Sequence, residues 1–231
     1  MIIKKIINWL RYQIDNKIKF QARKILIKSI NSEPIIQLQE KHINDTKIYM
    51  DRLDLLEKCL PKNSVCAEVG IANGDFSKKI IDIIEPKTFH LVELSKKYIN
   101  ICREKFRSEI SNGTVSIHEG YSDKILSQFP DQYFDWIYID GDHSYNVVKK
   151  DLFISKEKIK SDGLIMLDDY VNFSHQEMLQ YGVMRAVNEF CCDENFRVVG
   201  LTISEKSIIK NNILGKKVAM NEYTNIILKR I

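Results

Sequence analysis

The stretch Ser64-Val65-Cys66-Ala67-Glu68-Val69-Gly70-Ile71-Ala72-Asn73-Gly74-Asp75 decides the fold. Ser64–Val69 is a short run, apolar but for Glu68, that reads as a buried strand. Glycines at 70 and 74 then mark a turn. The residues from Asp75 to about Ile84 predict a helix, ended before Pro86 because the residue ahead of a proline avoids the helical region.

The same alternation continues outward. Upstream, Asp45 is a candidate cap for a helix through Leu60, with Leu53, Leu55, Leu56 and Leu60 as its apolar positions, followed by the turn Pro61-Lys62-Asn63. Downstream, strands are expected over Thr88–Leu94, Val115–Glu119, Phe134–Asp140 and Gly163–Leu167. Helices are expected over Lys96–Phe106, briefly before Pro130, over Tyr145–Lys160 and over about Val183–Cys191. Phe196–Thr202 and Thr224–Lys229 close the chain as strands. Strand–helix alternation of this length predicts an α/β fold with a mainly parallel sheet and helices on both faces, joined by right-handed crossovers.

In such sheets a ligand lies beyond the carboxyl ends of the strands. Those ends are rich in acids and glycines: Glu68 to Gly74, Glu93-Leu94, Glu119-Gly120-Tyr121-Ser122, Asp140-Gly141-Asp142-His143 and Asp168-Asp169-Tyr170. The first turn bears on the ligand class. A dinucleotide site needs G-x-G-x-x-G so that bare backbone can approach a pyrophosphate. Here Ala72 takes the middle glycine's place, and Glu68 just before the turn repels phosphate and attracts an ammonium. A ligand with an adenosine and an amino acid but no phosphate fits better, and S-adenosylmethionine is such a ligand. Glu93 stands near the ~20-residue offset at which an acid meets ribose hydroxyls.

From Ser64 to Asp169 the chain resembles the class I S-adenosylmethionine-dependent methyltransferases. The resemblance implies a Rossmann-like, doubly wound, seven-stranded sheet with an antiparallel C-terminal strand. It places Glu68, Gly70, Ile71, Asn73 and Gly74 around the methionine moiety, Glu93 and Leu94 at the ribose, and Gly120, Tyr121 and Ser122 along the adenine, with Asp140 also facing the cofactor. Asn73, where many of these enzymes have a third glycine, would hydrogen-bond the cofactor or tolerate a left-handed backbone. The sequences Ile139-Asp140-Gly141-Asp142-His143-Ser144-Tyr145 and Gly163-Leu164-Ile165-Met166-Leu167-Asp168-Asp169-Tyr170 are similar to those of small-molecule O-methyltransferases, including the macrocin type that acts on sugars. In that subgroup Mg²⁺ is held by acids at the positions of Asp140, Asp168 and Asp169.

The chemistry is sensible on its own terms. Converging carboxylates repel unless a cation or protons intervene, and hard oxygens suit Mg²⁺, Ca²⁺ or Mn²⁺. A sugar hydroxyl is a poor nucleophile at neutral pH, and a metal that lowers its pKa, together with a nearby base, would let it attack the sulfonium methyl in line. His143 and Asp142 are the candidate bases, with the imidazole the better matched. His90 and His118 lie inside strands and read as packed or surface residues; His42 and His175 fall in loops. The expected acceptor is a small molecule, a sugar or a sugar nucleotide. Two competing readings are a metal-dependent glycosyltransferase using the D-x-D of Asp140-Gly141-Asp142, and a non-catalytic methyltransferase-like binding module.

Composition sets the outer bounds. A chain of 231 residues suits one large domain with an appendage. With 9 Gly and 4 Pro it is neither linker-rich nor low in complexity. No apolar run approaches the ~18 residues of a membrane span, and no signal peptide is visible. Five cysteines without C-x-x-C spacing argue against a disulfide framework or a zinc ribbon and for a reducing cytoplasm. Residues 1–30 carry eight basic side chains and one acid, whereas the rest of the chain is net −3. An acidic body disfavours nucleic acid as a partner. Residues 1–44 are read as a basic, amphipathic helical extension and 45–231 as the catalytic domain. The extension's apolar stripe would pack on its own domain or on a second copy in a homo-oligomer, or lie on an anionic membrane at the inner face with Trp9 and Phe20 as anchors.

Overall fold

The computed structural model describes residues 35–174, 177, 179–203, 206–210, 217–221 and 224–231, with Ile14, Lys17, Ile18, Phe20, Gln21 and Lys24 before them. The expectation for residues 1–30 therefore lies largely outside the described residues, as does His175. Two compact units divide the chain, Met1–Ile35 and Ile36–Ile231.

The strands, in chain order, are β1 (Lys47–Tyr49), β2 (Val65–Val69), β3 (Thr88–Glu93), β4 (Val115–Glu119), β5 (Phe134–Ile139), β6 (Ile159–Leu167), β7 (Phe173–Ser174), β8 (Leu179–Gln180), β9 (Phe196–Thr202), β10 (Lys206–Lys210), β11 (Lys217–Asn221) and β12 (Ile226–Arg230). Eight of them form one sheet in the order β1-β9-β12-β6-β5-β2-β3-β4. Pairing is parallel from β4 to β6, and β12 runs antiparallel to both β6 and β9. The mainly parallel α/β sheet is the one the alternation implied, and the antiparallel C-terminal strand is the one the resemblance implied.

Alternation along the strands divides the core. Cys66, Leu91, Trp136, Tyr138 and Met166 pack on one face, with Ile80, Ile84, Cys102 and Phe106 from the helices Asp75–Ile84 and Lys96–Lys105 and the turn that ends the second. Ala67, Val69, Ile137, Ile139, Ile165 and Leu167 pack on the other, against Val148, Leu152, Ala186, Val187 and Phe190 of the helices Tyr145–Lys158 and Val183–Glu194.

The N-terminal edge differs from expectation. Asp45 does not cap a helix to Leu60; it pairs with Arg197. Asp51 is the cap, its Oδ1 accepting from the Leu53 N–H at 2.7 Å, and the helix spans Arg52–Cys59. The residues between form β1, an eighth strand parallel to β9. Burying Tyr49 beside the sheet favours an extended chain there over a longer helix. The short helix Glu40–Ile43 and β1 thus belong to the body, whose boundary lies ahead of residue 45. The β10–β11 hairpin between β9 and β12 gave no strand signal in the sequence.

His90 and His118 sit side by side on β3 and β4, Nδ1 to Nε2 at 3.0 Å, among Phe129, Tyr133 and Phe134. Burial, aided by the neighbouring imidazole, pushes His90 from 6.5 down to about 4, and burial lowers His118 as well. The unfolded chain takes up these protons near pH 6.5 and the folded chain resists. Stability is therefore full above that pH and falls as the pH drops toward 4, by up to about 3 kcal/mol. Urea unfolding at pH 7 and pH 4.5 should show this loss, and His90→Phe, which keeps the aromatic cluster, should remove most of it.

Candidate active site

Backbone hydrogen bonds carry the parallel ladder one residue past each strand. The N–H groups of Gly120, Gly70, Asp140 and Asp168 donate to the carbonyls of Glu93, Val92, Val69 and Ile139, at 3.0, 2.9, 2.8 and 3.1 Å. The loops after β4, β2, β5 and β6 thus leave the sheet along one line and open into one cleft of about 710 Å³. Every residue expected at the cofactor, metal or base sites except Gly74 lines it, and Gly74 lies at the turn's far side as the cap of the next helix.

The first turn is as tight as its glycines suggest. Gly70 has φ +81°, and a Cβ there would stand 2.1 Å from the Asp140 carbonyl oxygen. Only a residue without a side chain lets the loops after β2 and β5 cross this closely. Gly74 has φ +74° and packs on Phe106 and Cys102. The other left-handed residue in the turn is Ala72, not Asn73. Asn73 instead donates from Nδ2 to Asp75 at 2.8 Å.

Glu93 braces this turn. Its Oε2 accepts from the N–H groups of Ile71 and Ala72, both at 3.2 Å, and its Oε1 from Leu94 and Ser95 at 2.9 and 2.8 Å. A carboxylate offers about four lone-pair sites, so a ribose hydroxyl at Glu93 would share an acceptor that already organises the loop. At the far end, Ser122 donates its hydroxyl to buried Asp151 at 2.7 Å. Leu94 and Tyr121 are exposed there, flat apolar walls suited to an adenine.

The acids cluster at the centre. Glu68 is 1% exposed and its Oε2 has no hydrogen-bond partner. Burial, then the charge of Asp140, pushes its carboxyl up to about 8, with Ser77 and Arg52 pulling the other way. Asp168 is 3% exposed and is pushed well up by burial and by the charges of Asp140 and Asp169. The Tyr138 hydroxyl donates to Asp140 at 3.2 Å. Asp169 adopts φ +51°, a left-handed turn that aspartate tolerates better than most side chains.

His143 lies among these acids, its Nε2 at 3.7 Å from both Asp140 Oδ1 and Asp169 Oδ2. Its ring stacks on Tyr181, centroids 4.5 Å apart. Burial works against the charged imidazole, but Asp140, Asp169 and Glu177 prevail and hold it above 6.5. Asp142 has another task. Its Oδ1 accepts from the Ser144 N–H at 2.7 Å, at the start of the helix Tyr145–Lys158, and hydrogen bonding to Ser144 holds its carboxyl low despite partial burial. A carboxylate held low by a structural bond is a poor base, so His143 is the better placed of the two candidates.

The sequence did not single out Arg52, because it stands on a helix before β2 and away from any strand end. Its Nη1 lies 3.9 Å from Asp168 Oδ2, and its guanidinium carbon sits over the Phe76 ring, 4.1 Å from the centroid. Phe76 was likewise an unforeseen cleft residue, whereas Tyr181 ends the stretch Asn172–Tyr181 that the sequence offered as a cover for the substrate.

The expected magnesium site is not met. Asp140, Asp168 and Asp169 offer the right oxygen chemistry, yet among the described residues no three His, Cys, Asp or Glu side chains are arranged as a ligand set. Asp168 faces the Arg52 guanidinium, and Asp140 and Asp169 face His143. As they stand these residues do not fit a divalent cation. They do fit S-adenosylmethionine: a buried carboxylate with a spare oxygen, a glycine turn, an acid at the ribose position and flat apolar walls line one cleft.

Residues 67–170 match the family model described as a methyltransferase domain. Among curated proteins no sequence relative matches. The fold is similar to that of precorrin-6y C5,15-methyltransferase from Geobacter metallireducens GS-15, with a TM-score of 0.57 and 14% identity over 82% of this chain and 95% of that one. It is similar also to the B. subtilis M1A22 tRNA methyltransferase TrmK, with a TM-score of 0.51 and 13% identity over 79% and 67%. M. jannaschii TYW2 in complex with AdoMet gives a TM-score of 0.50 and 14% identity over 85% and 79%. Over residues 67–170 the chain is thus similar to methyltransferase domains, and its fold is the one these methyltransferases share. At such identities the neighbours share its fold, and their differing acceptors leave that of this chain to its own residues.

With its carboxyl near 8, Glu68 is largely protonated at pH 7 in the free protein. An ammonium brought beside it favours the ionised form, so binding of S-adenosylmethionine should release close to one proton. Calorimetry at pH 7 in buffers of different ionisation enthalpy should show that release, and Glu68→Gln should abolish it.

Proposed function

We propose that the protein methylates a hydroxyl of a sugar, a sugar nucleotide or a surface-glycan precursor. The observation that carries this reading is His143, a half-buried imidazole in the cleft, flanked by Asp140 and Asp169 and stacked on Tyr181. Bound S-adenosylmethionine supplies a methyl group on a sulfonium, open to in-line attack. Neutral His143 takes the proton of the acceptor hydroxyl as its oxygen forms the new bond to the methyl carbon. The bound donor would give up that methyl with the carbon–sulfur electron pair staying on sulfur, and would leave as S-adenosylhomocysteine. Asp140 and Asp169 stabilise the imidazolium, which returns its proton to solvent. Acids around the reaction centre also favour the cationic donor over its neutral product.

Magnesium dependence, which the resemblance implies, would require Asp140, Asp168 and Asp169 to close on an ion with Arg52 and His143 moved aside; chelation by EDTA tests it directly. The glycosyltransferase reading loses its second acid, because Asp142 is bonded to the following helix start. A nucleic acid is not the expected acceptor, since the chain beyond residue 30 is net −3.

Titration with S-adenosylmethionine and with NAD separates this reading from its rivals: micromolar binding of the first and none of the second is expected, and no S-adenosylmethionine binding would sink it. Screening of sugars and sugar nucleotides should then find an acceptor that gains one methyl group. Turnover should rise with pH through a value above 6.5, where His143 loses its proton. His143→Ala should cost about 10²–10⁴-fold in kcat and flatten that limb.

Among the described residues no helix is long and apolar enough to cross a membrane. We place the protein in the cytoplasm, with residues 1–30 as a basic contact to the inner membrane face. A chain lacking those residues should lose sedimentation with anionic vesicles at low salt while binding S-adenosylmethionine as before. Equal sedimentation with and without residues 1–30 would remove the membrane from consideration and leave self-association as the arm's role.

A further inference from the structure

We infer that Arg52 is the fixed cation of this site: its guanidinium takes the place a divalent metal ion would hold beside Asp168, and the methyl transfer proposed above runs without metal. The inference rests on that reading for its chemistry, while its geometry stands apart from it.

Asp168 and Glu68 are buried carboxylates, each with one oxygen that has no hydrogen-bond partner. Ionised carboxylates in such surroundings need a countercharge. Arg52 supplies one at 3.9 Å from Asp168. Its position is held by more than that ion pair. The guanidinium carbon lies 4.1 Å from the centroid of the Phe76 ring, and Phe76 packs on Tyr138 with ring centroids 5.3 Å apart. The Tyr138 hydroxyl in turn donates to Asp140. The cation, the ring beneath it and two of the acids thus form one packed unit. A guanidinium suits this place better than an ammonium, being planar, weakly hydrated and able to stack.

Asp140 and Asp169 flank the imidazole of His143, at 3.7 Å each. A dication set among Asp140, Asp168 and Asp169 would be repelled by the guanidinium on one side and would find the imidazole ring in its place on the other. Arg52 therefore does the work of charge compensation beside Asp168, and activation of the hydroxyl falls to His143. Arg52 acts as a positioning residue, through the acids it holds.

The test uses the full chain after dialysis against EDTA, with Mn²⁺ as probe and free Mn²⁺ read by its paramagnetic resonance signal. Wild type should bind no stoichiometric Mn²⁺ at micromolar concentrations. Arg52→Met should expose the acids and bind one Mn²⁺ at least about tenfold more tightly, as loss of a repelling unit charge requires. Arg52→Gln, which keeps a polar side chain, is the second variant should the first not fold, and Arg52→Lys should behave as wild type. Stoichiometric Mn²⁺ on the wild type that Asp168→Asn removes would overturn the inference. So would neutral Arg52 variants that fold and gain no affinity for the ion. Binding of S-adenosylmethionine, measured alongside, reports separately on the methyltransferase reading, whose failure would leave the Mn²⁺ result intact.

Discussion

The close crossing of two loops, with Gly70 against the Asp140 carbonyl, is the constraint on which the rest of the site depends. The Asp140 N–H reaches back to Val69 at 2.8 Å, so the crossing is locked by the same ladder that pairs β2 with β5. A side chain at residue 70 would part the two strand ends. Glu68 and Asp140 would separate with them, and the charge density of the cleft would fall. Local backbone sterics thus govern the electrostatics of the whole centre.

Around that crossing the fold concentrates negative charge where water is scarce. Desolvation pushes Glu68 and Asp168 up, while Arg52 and the hydrogen-bonding groups around them limit the rise. The balance leaves a cleft rich in acids that holds the Arg52 guanidinium and the His143 imidazole at fixed places. Such a cleft suits a positively charged ligand, and it holds the His143 imidazole among the acids. Preorganisation of this kind is costly to fold and useful in catalysis, because the charges need not rearrange during the reaction.

The order of the cleft was largely legible in the sequence. Helix Asp75–Ile84 and strands β4 and β9 fall where apolar periodicity and proline placed them, and other boundaries moved by a few residues. The strand-end list works because a parallel sheet delivers every strand's exit to one edge, so that residues distant in sequence are neighbours by topology. Where local signals competed, the reading failed. Asp45 and Asp51 are both good caps, and only the pairing of β1 with β9 decides between them. Asp142 looks like a base in a list of acids, but a single hydrogen bond to the Ser144 N–H turns it to the backbone.

The sequence by itself determined the class of the fold, the line of loops that holds the ligand and the acids and imidazole that meet there, because periodicity and strand ends are local properties. Tertiary structure alone decided which charges face one another. Arg52 carries no local mark of its role; it reaches Asp168 because the helix Arg52–Cys59 packs beside the carboxyl ends of the strands. Ion pairing depends on distances through space of a few ångströms, and no pattern along the chain encodes those before the chain is folded.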